Sequence, residues 1–324
     1  MTHSRYTLPY LYGRSVIQLM FKLRLNYALV SSTLLLGGFF SNNLVGFDGK
    51  YIALMLGFFF ANVFGFVVND FFDALSDRKD DEKKVRNLFC SSKTRLLGKV
   101  MLYASLGLSL FFGGIVSYPV LLFIVLLNIL AFSYSAPPIK LRDRLYWDWI
   151  FVFLWKGVII FAGYYHFFGI NMSAINPFMY GTMGIVLLVS LVSQISNQIR
   201  DFEVDKKTNS NNTVQYLGFK TALVIKRTSL VIFYAFSLIF CFLLGLYITI
   251  PLILLNFSLY IFINPGRYRY IVEYANIWII VILLERFMIH LNSWFIAIIW
   301  TVAVIWIIAM GRIALMRMKR LKLL

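Results

Sequence analysis

The stretch "NDFFDALSD", Asn69 to Asp77, closes a long apolar run with three carboxylates, Asp70, Asp73 and Asp77. On a helix, positions i, i+3 and i+7 share a face, so the three side chains are expected on one side, with Asn69 beside them and Asn62 one heptad earlier. A second stretch, "NQIRDFEVD", repeats the arrangement. Asp201 and Asp205 are i and i+4, Asn197, Gln194 and Ser190 continue the stripe toward the apolar segment, and Glu203 points elsewhere. Carboxylates near mid-bilayer cost roughly 2.5 to 3.5 kcal/mol each and less toward the interface, and like charges one turn apart repel. Two such clusters make sense around something positive. Carboxylate and amide oxygens are hard ligands that suit Mg²⁺, which keeps several waters and bridges to phosphate. The competing reading is a solvated acidic cap paired with Arg78 and Lys79.

The elements that must carry these residues are membrane helices. Of the 324 residues, 60% are hydrophobic, and they fall in runs of the length a bilayer span requires, about 20 residues. Spans are expected over 20–41, 51–72, 96–116, 118–134, 147–169, 177–199, 222–244, 248–264, 271–290 and 293–313. This predicts an all-α, polytopic transmembrane bundle of nine to ten spans, ten being favoured because that count leaves the basic tail "RMKRLKLL" inside. The last pair is interrupted by Glu285, Arg286 and His290. The chain reads as one membrane domain over 1–324, with cytoplasmic cap loops at 78–95 and 206–220.

The formal net charge is +17, which raises the question of nucleic acid. The basic residues collect in alternate loops, at Arg78 to Lys99, Lys140 to Arg144, Arg200 to Arg227, and Arg267 with Arg269. The intervening loops hold almost none. That is the positive-inside pattern of an integral membrane protein, so the acidic span ends are expected to face the cytoplasm and nucleic acid is not a partner. Cys90 and Cys241 show no metal-ligand spacing.

At this point the residues resemble the UbiA superfamily of intramembrane prenyltransferases. "NDFFDALSD" fits its NDxxDxxxD signature and "DFEVD" its second, DxxxD signature. Between them "YSAPPIKLR", from Tyr134, is similar to the family's YSxPPxxLK-like loop. "KVRNLF" stands where the family usually has a proline step, with Asn87 and Leu88 in its place.

The resemblance implies a helical barrel around a central, lipid-open cavity, and Mg²⁺-dependent transfer of a prenyl group from a polyprenyl diphosphate to a lipophilic acceptor through an allylic carbocation. Asp70, Asp73 and Asp77, with Asn69, would hold one Mg²⁺, and Asp201 and Asp205 another, with Asn197 in the substrate site. Lys140, Arg86, Arg78 and Arg200 are candidates for diphosphate contacts. Tyr134 would donate a hydrogen bond to the diphosphate or set its ring near the cation, and Arg24 and Asn26 would reach the acceptor. A terpene cyclase of the same superfamily would need the same aspartates. A transporter of ions or phospholipid would instead spread its carboxylates through the membrane depth.

Overall fold

The computed structural model describes residues 49–79, 84, 87–168, 177–207, 211–247 and 249–262. Every regular element among them is helical. They run α1 (Gly49–Asp77), α2 (Ser92–Val116), α3 (Tyr118–Ser135), a 3₁₀ turn (Leu141–Asp143), α4 (Trp147–Phe168), α5 (Pro177–Lys207), α6 (Thr213–Leu217), α7 (Phe219–Leu243) and α8 (Thr249–Phe262). Six of these, α1 to α5 and α7, are long and apolar enough to cross a membrane. α8 covers the span expected at 248–264 with only 14 residues. The spans expected at 20–41, 271–290 and 293–313 lie outside the described residues.

Two helices outrun their apolar segments. α1 continues through Asp70, Asp73 and Asp77, and α5 through Asp201 and Asp205. Both acidic motifs are therefore helical to their last carboxylate, as the spacing predicts. α4 is not uniform: Leu154–Val158 form one π-helical turn between two α-helical stretches. Such turns push one extra residue out of the helix face and recur at functional sites.

α1 is the most enclosed of the described spans. Its apolar window is 67% buried, against 22% for α2, so α1 is wrapped by protein while α2 turns Leu108, Phe111 and Ile115 outward. α1 packs on α2 and α3, and α5 packs on α7 and α4. The fully buried side chains include Leu54, Phe58, Ile124, Leu127, Ile160 and Tyr164, and the Phe58 and Tyr164 rings meet edge to face at 5.0 Å. Hydrocarbon supplies no hydrophobic drive between helices, so close approach through small residues matters more than in water. Gly65 of α1 is one such place: a Cβ there would lie 2.1 Å from Cζ2 of Trp155.

The α2–α3 corner is a single residue. The Ser117 N–H donates to Gly113 O at 3.2 Å and its side chain accepts from Val120 N at 3.4 Å, so it ends one helix and caps the next. The α3–α4 connection is longer and irregular. It holds a cis Pro137–Pro138 bond and two left-handed residues, Lys140 at φ 41° and Tyr146 at φ 62°. The Tyr146 N–H donates to Thr213 Oγ1 at 2.7 Å, which ties this loop to α6.

The Gly65–Trp155 approach generates a test. Gly65→Ala should overpack the α1–α4 contact at a cost of about 1–3 kcal/mol, read as a lower midpoint of thermal unfolding in detergent. An unchanged midpoint would mean that the indole is free to move aside.

Candidate active site at the acidic helix ends

The first acidic motif is divided between two neighbours. Asn69 Nδ2 donates to Asp73 Oδ2 at 3.0 Å, one helical turn on, and Asp73 is ion-paired with Arg142 of the α3–α4 loop. On the other side, Asn87 Nδ2 donates both to the backbone carbonyl of Asp70, at 2.7 Å, and to Asp77 Oδ2, at 2.9 Å. Asn87 Oδ1 in turn accepts from Phe89 N at 2.9 Å. The Asn-Leu pair that stands in for a proline step thus clamps the returning chain against α1, with Leu88 and Phe89 buried beneath it. Asp70 and Asp77 are both buried.

The second motif is held more loosely. Arg200 grips Asp201 through Nε and Nη2 at 2.9 and 3.1 Å, and Asp205 accepts from Asn212 Nδ2 at 2.8 Å. Asn197 and Arg200 lie on an exposed face of α5, whereas Gln198 is buried. Gln198 leads to a residue the sequence reading did not single out. Asp148, wholly buried at the start of α4, accepts from Gln198 Nε2, from the Thr213 hydroxyl, from Thr213 N at 3.0 Å and from Trp149 N at 2.9 Å. Trp149 Nε1 donates to Gln198 Oε1 at 3.0 Å. One carboxylate therefore fixes α4, α5 and α6 together just inside the second acidic motif.

Two adjacent residues join the motifs. Ser135 Oγ donates to Asn69 Oδ1 at 3.2 Å, and Gln194 Nε2 donates to the Tyr134 hydroxyl at 3.0 Å. Tyr134-Ser135 therefore reaches the helix of the first motif with one side chain and the helix of the second with the other. The Tyr134 ring stacks on Phe151 at 4.1 Å, Phe151 on Trp155 at 5.3 Å, and Trp155 meets Phe66 of α1 at 5.2 Å. The stack ends at Lys156 in the π turn, whose ammonium lies 4.2 Å from the Phe66 ring centre and 4.0 Å from that of Trp155, and donates to Asn62 Oδ1 at 3.2 Å.

Other expected residues fall as follows. Lys140 is ion-paired with Asp143, and Arg78 is exposed immediately after α1. Arg86, Arg24 and Asn26 lie outside the described residues. Three charged residues were missed. Arg142 is the basic residue that closes "YSAPPIKLR", two positions beyond Lys140. Asp148 and Lys156 are charges inside an apolar run, which in a membrane helix is itself a functional signal. Burial alone would lower the Arg142 pKa, but the charge and hydrogen bond of Asp73 raise it above the ordinary arginine value, so the guanidinium stays charged.

Among the described residues no three Asp, Glu, His or Cys side chains converge as a preassembled metal site. Asp73 is engaged by Arg142, and Asp201 by Arg200. The donor set itself is all oxygen, which fits a hard divalent cation.

An all-helical membrane protein with acidic residues gathered at two helix ends, linked by a Tyr-Ser-Ala-Pro-Pro loop, is the class that fold and site define. Residues 29–272 match the model of the UbiA prenyltransferase family, and the chain belongs to that family. No curated protein sequence matches it. Among solved structures it is similar to a UbiA homolog from Archaeoglobus fulgidus bound to GPP and Mg²⁺, at 20% identity and TM-score 0.61, over 83% of this chain and 98% of that one. A UbiA homolog from Aeropyrum pernix K1 in its apo form matches at 15% identity and TM-score 0.63, over 82% and 98%. A structure of digeranylgeranylglyceryl phosphate synthase matches at 20% identity and TM-score 0.54, over 83% and 96%.

Removing the Asp148 carboxylate should strand buried donors from three helices. Asp148→Ala is expected to cost about 1–3 kcal/mol for unsatisfied groups, seen as a lower unfolding temperature in detergent. Asp148→Asn, which keeps one accepting oxygen, should recover part of it. Equal losses in the two variants would show that accepting these bonds is not what the carboxyl contributes.

Proposed function

We propose that the protein transfers a prenyl group from a polyprenyl diphosphate to a lipophilic acceptor, at the cytoplasmic mouth of a bundle of nine to ten spans. The observation that carries this reading is the Tyr134-Ser135 bridge, which ties the helices of both acidic motifs to one loop. Family membership and homologues bound to GPP or DMAPP with Mg²⁺ support it.

Asp70, Asp73 and Asp77, with Asn69, and Asp201 with Asp205 are the residues that would hold two or more Mg²⁺ ions. A metal held there would supply positive charge against the leaving diphosphate, and each 1.36 kcal/mol off the barrier is about tenfold in rate. The allylic C–O bond breaks with its electron pair going to the diphosphate. A nucleophilic carbon or oxygen of the acceptor then bonds to the allylic carbon and gives up its proton.

The chain's residues divide the remaining work. Arg142, fully charged and already beside Asp73, supplies a second positive group to the diphosphate, with Lys140, Arg86, Arg78 and Arg200 as further contacts. The Tyr134 hydroxyl, oriented by Gln194, donates to a diphosphate oxygen. Asn197 completes the substrate site on α5, and Arg24 and Asn26 reach the acceptor. The stacked rings of Phe151 and Trp155 present a dry, polarisable wall to the allylic cation, and the segments over 78–95 and 206–220, which include the start of α2 and all of α6, cap the site against water.

Asp70→Asn and Asp201→Asn should each reduce turnover of a labelled prenyl diphosphate by at least about a hundredfold, a loss of roughly 2.7 kcal/mol, while the protein still folds in detergent. EDTA should stop the reaction and Mg²⁺ restore it. Retained activity in either variant, or a chelator-insensitive enzyme, would remove the metal role. Cyclised hydrocarbon or terpene alcohol formed in the absence of any acceptor would replace transfer with cyclisation.

A further inference from the structure

Between α1, α2 and α3 lies a groove of about 290 Å³. Phe64 of α1, Leu106 and Leu110 of α2 and Val125 of α3 wall it, and Ile129 and Phe132, both exposed, edge it. None of the residues assigned to metal or diphosphate lines it. Its polar residues are Asn128 and Ser133 of α3. Asn128 is 5% exposed, and its Oδ1 is buried without a hydrogen-bond partner. Such atoms are rare in folded proteins and call for an explanation.

The orientation of that amide is fixed by its neighbour. Ser109 of α2 gives its one proton to Leu106 O at 2.8 Å, so towards Asn128 its oxygen can only accept, as it does from Nδ2 at 2.9 Å. Turning the amide over would set Oδ1 against an oxygen with no proton left to offer. The Asn128–Ser109 bond therefore joins α2 to α3 and leaves the carbonyl oxygen unmatched.

Depth makes that oxygen costly. Asn128 stands ten residues after Tyr118 and seven before Ser135, the two ends of α3, which is about 15 Å and about 10 Å along the axis. This is hydrocarbon depth, where no solvent stands in for a missing partner. A lone water does not answer the need. A buried water takes about two to four polar partners, and Ser133 lies five residues further along the helix, a rise of about 7.5 Å. What the groove lacks is one donor carried on an apolar body. A charged headgroup is too costly at this depth, and a hydrocarbon or an ether has no proton to give. A hydroxyl supplies the donor with little polar surface to bury.

We infer that the groove between α1, α2 and α3 binds a lipid alcohol, its hydroxyl donating to Asn128 Oδ1 and its chain lying against Phe64 and the α2–α3 side chains. The volume is just below the range of roughly 300 to 1,000 Å³ for small-molecule sites. It holds a chain segment, with the rest of the chain running out past Ile129 and Phe132. A linear fatty alcohol and an isoprenoid alcohol share this chemistry. The site makes no use of the acidic motifs, so it stands apart from the prenyl-transfer reading.

The test uses the full-length protein in lipid nanodiscs and a diazirine-bearing hexadecanol, with crosslinks located by mass spectrometry. Labels are expected on the α2 and α3 side chains that line the groove. Competitors come in two matched pairs, tetradecanol with its methyl ether and geranylgeraniol with its methyl ether. In at least one pair the alcohol should displace the label about three- to tenfold more effectively than the ether, the size of one neutral hydrogen bond. The pair with the larger ratio identifies the chain. Asn128→Leu, which keeps the bulk and removes the acceptor, should bring the ratio to about one. Ile129→Trp, at the exposed edge, should suppress labelling with the amide intact. Equal displacement by alcohol and ether in both pairs, labels spread evenly over the lipid-facing spans, a ratio unchanged in Asn128→Leu, or labelling that survives in Ile129→Trp overturns the site.

Discussion

The cost of placing charge beside hydrocarbon governs this structure. Each carboxylate of the two motifs would be unfavourable on an isolated span; Asp201 is met by the adjacent Arg200, and Asp73, Asp77 and Asp205 by groups brought from elsewhere in the chain. Arg142 comes to Asp73 from the α3–α4 loop, Asn87 to Asp77 from the segment before α2, and Asn212 to Asp205 from the segment before α6. The polar contacts of the mouth thus do the joining that apolar burial does in a soluble core. In a bilayer, apolar surface discriminates poorly between neighbours and lipid, whereas a polar side chain has few acceptable partners. The helices are located by what their carboxylates can find.

Asp148 applies the same logic without an evident chemical task. It accepts from Gln198, from Thr213 twice and from Trp149, and thereby holds the end of α5 that carries Asp201 and Asp205. The second motif would otherwise stand on a helix end free to fray. Asn212, which caps α6 by accepting from Gln215 N at 3.0 Å, also donates to Asp205, so the cap segment and the motif are fastened by one residue. These are positioning contacts, and their value lies in fixing a carboxylate pair at the end of the helix whose Gln194 donates to Tyr134.

Six of the expected spans, the helical extension through both motifs and the meeting of motif and loop were legible in the sequence, because each rests on a local pattern: apolar length, a 3-4-7 carboxylate spacing, a Tyr-Ser-x-Pro-Pro string. What escaped was non-local. Lys140 looked like the basic residue of the loop, yet the left-handed backbone at Lys140 and the 3₁₀ turn after it bring Arg142 to Asp73 and leave Lys140 with Asp143. Asn87 read as a departure from a family pattern, and only its two acceptors on α1 reveal it as a clamp. Asp148 and Lys156 were visible as charges in an apolar run. Their opposite fates, one enclosed by donors and one lying over rings, depend on which helices face them, and no spacing within α4 encodes that.

The sorting of polar groups by depth along α1 follows from the same cost. Its outer turns carry carboxylates that loop residues reach, Asn69 stands between, and the inner end of the stripe keeps only the amide of Asn62 and the face of Phe66. α4 places its charges in the reverse sense, with Asp148 at the outer end and Lys156 inward. Negative groups on both helices therefore lie at the mouth, and the positive one lies below. The aromatic stack from Tyr134 to Trp155 spans the interval between them.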